Sequence, residues 1–233
     1  MNTIIPTLGG NKILKLPRYL IKIKKEYIIE NIIKKLKFSS NFIFIISNKD
    51  KVKFKSDKIL KSIKPKCKII IAKKKTKGIL ETLLLAKDFI NEKKILISNC
   101  DHFINLDKKN FLNIVKKRKI FGCVFTYLPN TKNHCFLKCS GKYVKYAAER
   151  KKVSNIAAAG LYYFQNGKTF IKYAQAAIKK KMTYKKMYYM SSAINEMISD
   201  NKVILHTKLK SMFPLGSISE RKKFIKKINY SAY

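Results

Sequence analysis

The chain has no tryptophan, and only eight glycines and five prolines in 233 residues. No Pro- or Gly-rich stretch divides it, so one unit over 1–233 is expected, long enough for a substantial core. Acidic residues are scarce: 13 against 53 basic ones, a formal net charge of +40. Arginine is scarce too, limited to Arg18, Arg118, Arg150 and Arg221. Arginine is the side chain suited to bidentate base and phosphate recognition. Its rarity, with lysines spread along the whole chain, argues against a dedicated nucleic-acid role. Ile, Asn, Lys, Tyr and Phe are abundant together, and all have AT-rich codons. Charge of this size still predicts weak, salt-sensitive, non-specific attraction to nucleic acid. No apolar run approaches the ~20 residues a membrane span needs. The start, Met1-Asn2-Thr3-Ile4-Ile5-Pro6, lacks a basic stretch followed by a sustained apolar segment, so a cytoplasmic location is expected. The five cysteines are odd in number and lie mostly in apolar runs, which favours reduced, buried thiols. His134, Cys135 and Cys139 lack the second liganding pair that a zinc site requires.

What is present is a rhythm. Apolar runs of strand length at 3–5, 42–46, 67–72, 95–98 and 122–127 alternate with helical periodicity at 26–37, 56–63 and 78–90. Unbroken apolar strands between helices predict a mostly parallel sheet with helices on both faces. After Pro129 the rhythm changes. Strands are expected at 143–148 and 160–164 with no helix between them, helices at 167–180 and 191–199, and a strand at 203–207. Asp107 is expected to cap a helix from Lys108. Ser217-Ile218-Ser219-Glu220 has the spacing of a capping box and should open the last helix.

The most informative segment is Asn99-Cys100-Asp101-His102. It follows Ile95-Leu96-Ile97, so a buried strand ends abruptly in a carboxylate. In open α/β sheets ligands sit beyond the carboxyl ends of the strands. A carboxylate there suits a hard cation shared with substrate phosphates, whereas Asp is also common in any turn after a strand.

Several segments follow one another in a recognisable order: Ile5-Pro6-Thr7-Leu8-Gly9-Gly10 with Leu16-Pro17-Arg18-Tyr19; Thr76-Lys77-Gly78-Ile79-Leu80-Glu81; Ser98-Asn99-Cys100-Asp101; Ala148-Glu149-Arg150 and Ala159-Gly160-Leu161; and Leu215-Gly216-Ser217. Together they resemble the sugar-phosphate nucleotidyltransferase (NDP-sugar pyrophosphorylase-like) family, in its small single-domain branch linked to bacterial surface polysaccharide synthesis. The resemblance implies a Rossmann-like α/β fold of the GT-A type, with a nucleotide-binding half over 1–128 and an acceptor-binding half over 129–233. It implies transfer of a nucleoside monophosphate from a nucleoside triphosphate to a sugar phosphate or similar phosphomonoester, with release of pyrophosphate. Asp101 would hold Mg²⁺, with Arg18 and Lys12 as further catalytic groups. Leu8, Gly9, Gly10, Thr76, Gly78 and Asn99 would meet the nucleotide, and Glu149, Arg150 and Gly160 the acceptor.

The chain departs from the family pattern at polar positions. Its first loop, Gly9-Gly10-Asn11-Lys12, is short and lacks arginine, leaving Lys12 or Lys15 as point charges. Pro17-Arg18 stands where Pro-Lys is usual. Phe213-Pro214-Leu215 precedes Gly216 where many members have a second metal-binding aspartate, and Lys186-Met187-Tyr188-Tyr189 stands where Gly-Glu-Phe-Tyr is expected. A homologue that binds nucleotide or a partner enzyme without turnover is therefore the alternative. A glycosyltransferase fits less well, because Asn99 replaces the first acid of an Asp-x-Asp.

Overall fold

The computed structural model describes residues 1–8, 16–117 and 119–230. Gly9, Gly10, Lys12 and Lys15, expected at the nucleotide, lie outside them. In chain order the elements are β1 (Asn2–Pro6), β2 (Lys22–Ile23), β3 (Glu26–Tyr27), α1 (Ile28–Lys35), β4 (Asn41–Ser47), α2 (Asn48–Phe54), α3 (Ser56–Ile63), β5 (Lys68–Ala72), α4 (Ile79–Leu84), β6 (Ile95–Ser98) and β7 (His102–Asn105). They continue with α5 (Lys108–Lys116), β8 (Gly122–Tyr127), β9 (Cys135–Ser140), β10 (Tyr143–Glu149), β11 (Ala157–Phe164), α6 (Gly167–Lys179), α7 (Met190–Ser199), β12 (Ile204–Lys208), β13 (Ser211–Pro214) and α8 (Ile218–Tyr230).

Nine strands form one sheet in the order β5-β4-β1-β6-β11-β8-β12-β10-β9. The β5-β4-β1-β6 side is parallel throughout. Strand β11 runs antiparallel to both its neighbours, β6 and β8, while β12 pairs parallel with β8. Parallel strands buried on both faces need a hydrophobic side chain at every position, and alternation along the pleat sends these to opposite cores. Ile5, Phe42, Phe44, Ile46 and Leu96 pack with Ile28, Ile29 and Ile32 of α1, Leu60 of α3, Phe111 and Ile114 of α5 and Phe224 of α8. Ile4, Ile43, Ile45, Ile95 and Ile97 face the other way, onto Leu80 and Leu83 of α4, Phe170 and Ala174 of α6 and Ile194 and Met197 of α7. The fold is thus the expected Rossmann-like α/β arrangement, with a mixed sheet sandwiched by helices.

The structure adds strand β9 and starts β11 at Ala157, and it differs from the periodicity in four further places. The helix expected over 78–90 stops at Leu84. The Leu85 and Ala86 N–H groups donate to Thr82 and Leu83 carbonyls, three residues back, and a 3₁₀ turn follows at Lys87–Phe89. The helix expected from Glu26 starts at Ile28, because Glu26 and Tyr27 pair with Lys22 and Ile23. Helix α2 buries no side chain, so it offers no apolar stripe to read; Ser47 Oγ caps it by accepting from Asp50 N–H at 3.0 Å. Strands β13 and β7 form a small separate ribbon, with Ser211 opposite Asn105 and Pro214 opposite His102.

Both expected helix caps are present. Asp107 Oδ1 accepts from Asn110 N–H at 3.0 Å. In the capping box at α8, Ser217 Oγ accepts from Glu220 N–H at 3.2 Å and Glu220 Oε2 accepts from Ser217 N–H at 2.7 Å. The five cysteines are free. Among the described residues no helix is long and apolar enough to cross a membrane.

Candidate active site

The site is built at the carboxyl end of β6. The chain leaves the sheet after Ser98, and Asn99 N–H donates to Gly160 O at 2.8 Å on the neighbouring β11. Gly160 lies in a stretch of β11 whose register against β8 is irregular, between Ala158 and Tyr162. Its φ is +74°, and a methyl group added there would lie 2.6 Å from Asn99 Cγ and 2.8 Å from His102 Nδ1. Glycine therefore lets Asn99 and His102 close over the strand. His102 Nδ1 is 2.9 Å from Ala159 O. A carbonyl only accepts, so Nδ1 carries the proton and Nε2 faces Asp101 Oδ1 at 3.6 Å.

Asp101 is nearly enclosed, with 12% of its side chain exposed. Its backbone carbonyl accepts from Leu215 N–H at 2.8 Å, which draws the end of β13 against it. Its Oδ2 pairs with Arg18 Nη1 at 3.0 Å. Arg18 is delivered by a 3₁₀ turn, Arg18–Leu20, that starts after Pro17 and is anchored by buried Tyr19 and Leu20. Its own side chain stays 42% exposed. A methyl group added at Gly216 would be 3.2 Å from Asp101 Oδ2 and 3.7 Å from both Arg18 Nη1 and Glu220 Oε2. Two carboxylates and a guanidinium therefore surround one point. Arg221 is buried behind them and donates Nη1–H to Leu215 O at 2.9 Å. Burial lowers the pKa of its guanidinium; Glu220 opposes this and Arg18 adds to it.

A second cluster adjoins the first at the end of β8. Tyr127 Oη is 2.8 Å from His134 Nδ1, and Thr131 Oγ1 is 2.6 Å from His134 Nε2. Burial pulls the His134 pKa down, the charge of His102 acts the same way, and Glu220 opposes both. Arg150 N–H donates to His134 O at 2.9 Å, so the end of β10 is tied to this cluster. Glu149 sits opposite Cys135 in the β10–β9 pairing. Burial raises its pKa, against the pull of the Arg150 guanidinium and the Ser191 hydroxyl. The Arg150 Nε to Glu149 Oε1 distance is 4.0 Å.

Of the residues singled out from sequence, Asp101 meets Arg18 and Asn99 meets Gly160, while Arg150 is tied through its backbone N–H to His134 and Glu149 precedes it on β10. Leu8 is half-buried just past β1. Thr76 and Gly78 lie on the loop before α4, where Thr76 Oγ1 is 2.7 Å from Thr82 Oγ1. Gly78, at φ +116°, gives way to another stretch of chain: a methyl group there would be 2.6 Å from Tyr188 N, and Tyr188 N–H donates to Lys77 O at 2.7 Å. The sequence reading missed Glu220, Arg221, His102, Tyr127 and His134. Glu220 was legible as the acid of a capping box, but its position beside Asp101 depends on the β13–β7 pairing.

No family model and no curated protein matches the chain. Solved structures do match in shape. A nucleoside-diphosphate-sugar pyrophosphorylase from Vibrio cholerae superposes with a TM-score of 0.76 at 19% identity, covering 97% of this chain and 100% of that one. A UDP-glucose pyrophosphorylase complexed with UDP-glucose superposes with a TM-score of 0.80 at 14% identity, covering 100% and 99%. The UDP-glucose pyrophosphorylase of Acinetobacter baumannii gives 0.74 at 11% identity, covering 96% and 91%. The fold is that of the nucleoside-diphosphate-sugar pyrophosphorylases.

On this pyrophosphorylase fold Asp101, expected to hold Mg²⁺, offers one carboxylate, and a hard cation shared with substrate phosphates takes only one or two from the protein. One carboxylate oxygen already holds Arg18 and the other faces His102. Among the described residues no group of three or more His, Cys, Asp or Glu side chains is arranged to hold a metal ion. The carboxylate expected to meet a metal holds a guanidinium on one of its two oxygens.

Proposed function

We propose that the chain is a nucleotidyltransferase. It transfers a nucleoside monophosphate from a nucleoside triphosphate to a sugar phosphate or similar phosphomonoester. An oxygen of the phosphomonoester attacks the α-phosphorus in line, the bond between the α-phosphorus and the bridging oxygen breaks, and pyrophosphate leaves with the electron pair. Such transfer needs positioning and charge neutralisation more than covalent help. The observation that carries this reading is the Arg18–Asp101 pair at the carboxyl end of β6, half open to solvent and backed by Arg221.

Arg18 neutralises phosphate oxygens, and Asp101 fixes its plane. Asn99, Leu8, Thr76 and Gly78 belong to the nucleotide half, 1–128, as do Gly9, Gly10 and Lys12 on the first loop. Glu149, Arg150 and Gly160 belong to the acceptor half, 129–233. The product would be an activated precursor for surface polysaccharide.

The test is pyrophosphate release with uridine, cytidine and thymidine triphosphates against a panel of hexose 1-phosphates and phosphorylated amino alcohols. Release that requires both a triphosphate and a phosphomonoester supports transfer. Bound triphosphate with no release in any combination supports the alternative, a non-catalytic binder; one observation favours that reading, the Arg18 guanidinium held on Asp101 Oδ2.

A further inference from the structure

We propose that the chain carries a second ligand site, at the opposite end of β8 from Tyr127, that takes a phosphorylated hydrocarbon: an aliphatic chain or ring ending in a phosphate monoester. The inference is independent of how the Asp101 site is read.

Three segments build the site. Lys117, Lys119 and Ile120 come from the connection between α5 and β8, Lys142 and Tyr143 from the turn into β10, and Val203 and Leu205 from the start of β12. The backbone ties these segments together. Phe121 N–H donates to Val203 O at 2.8 Å, His206 N–H donates to Lys142 O at 2.9 Å, and Tyr143 stands opposite Leu205 in the sheet. They enclose a cavity of about 530 Å³, within the size range of small-molecule sites. Ile120 and Leu205 are buried there, while Tyr143 and Val203 are 42% and 38% exposed, so apolar surface is left open to water.

Two features select the ligand. The first is the lining, whose side chains are apolar apart from three ammonium groups and the Tyr143 hydroxyl. A nucleotide would leave polar atoms of its base and ribose without partners among these side chains, at a desolvation cost, whereas a hydrocarbon gains with each methylene it buries. The second is unmatched charge. Among the described residues no carboxylate lines the cavity, and none of Lys117, Lys119 and Lys142 is in an ion pair. Lys142 Nζ lies 5.6 Å from the centre of the Tyr143 ring, so charge and apolar wall adjoin. A phosphate monoester carries about 1.5 to 2 negative charges at neutral pH and three acceptor oxygens, which matches three ammonium groups better than a carboxylate does.

The experiment uses the full chain at physiological salt, where screening suppresses scattered attraction to lysine. Hexyl and octyl phosphate, kept below their micelle concentrations, are titrated calorimetrically, with octanoate, inorganic phosphate and uridine monophosphate beside them. Binding is located by methyl-resolved NMR of the Ile, Leu and Val side chains. Octyl phosphate should bind at one site, about fifteenfold more tightly than hexyl phosphate, because each buried methylene is worth about fourfold. It should also bind more tightly than the other three probes, and the methyl signals of Ile120, Val203 and Leu205 should shift. Lys119→Glu combined with Lys142→Glu should weaken binding about tenfold or more. Lys58→Glu combined with Lys66→Glu, on exposed residues in α3 and just before β5, changes the net charge equally and should cost less than about twofold. The proposal is overturned by no binding of octyl phosphate, by affinity that ignores chain length, or by equal loss in the two double variants. Tighter binding of uridine monophosphate or octanoate, or shifts confined to Leu215 and other methyls beside Asp101, overturns it as well. The chain-length and methyl readouts need only the wild-type protein.

Discussion

Replacing Gly160 with alanine should unsettle the site through one methyl group. At φ +74° any L side chain costs about 1 kcal/mol from its own backbone conformation. The methyl would also lie 2.8 Å from His102 Nδ1 and 2.6 Å from Asn99 Cγ, so both side chains must move. That puts at risk the hydrogen bond from His102 to Ala159 O and the one from Asn99 N–H to Gly160 O, about 1 kcal/mol each. The total is about 3 kcal/mol. For a chain of this size it lowers Tm by about 6–12 °C. Gly141 is the control. It has φ +53° with no atom within 4 Å of an added methyl, so Gly141→Ala should cost about 1 kcal/mol and about 2–4 °C. Thermal melts of the two variants, with triphosphate titrations beside them, separate contact from conformation. Gly160→Ala should also weaken triphosphate binding, because Asn99 and His102 flank Asp101, and Gly141→Ala should leave binding intact. Equal melting shifts for the two variants would refute the reasoning.

Three further outcomes are expected. Burial raises the Glu149 pKa above its unfolded value, so ionised Glu149 penalises the fold. The penalty is complete above the folded pKa, fades as pH falls through it, and vanishes below the unfolded value. Glu149→Gln should therefore melt higher than the wild type at pH 7 and lose that advantage toward pH 4; a lower melting point at pH 7 contradicts this. Arg221→Leu leaves the Leu215 carbonyl without its donor and should cost about 1–3 kcal/mol in urea unfolding, an unchanged midpoint being the contrary result. The net charge of +40 should hold the chain on heparin or duplex DNA at about 0.05 M salt and release it by about 0.3 M whatever the base sequence; sequence-dependent retention at the higher salt contradicts this.

The sheet was legible because its strands are buried on both faces. Phe42-Ile43-Phe44-Ile45-Ile46 admits no reading but a covered strand, and each side chain falls in the expected core. Helix α2 was illegible for the opposite reason: it buries nothing, and only its Ser47 cap marks it. Asp101 could be singled out because an acid directly after a buried run is conspicuous. Its contacts could not. Arg18 lies 83 residues away, and Glu220 reaches the site only because β13 pairs with β7 and sets Gly216 against the carboxylate. Long-range pairing of that kind leaves no local periodicity. Gly78 carries a second constraint. Its need for glycine was legible, but the backbone pressing on it is that of Tyr188.

The central claim is that the Arg18–Asp101 pair orients a triphosphate for attack by a phosphomonoester. The most direct measurement is pyrophosphate release by the wild-type chain and by Asp101→Asn, each confirmed folded by its melting curve. Release should require both substrates and fall on the order of a hundredfold in Asp101→Asn, because the guanidinium loses the charge that fixes it. Equal release from the two chains, or release that ignores the phosphomonoester, would contradict the account.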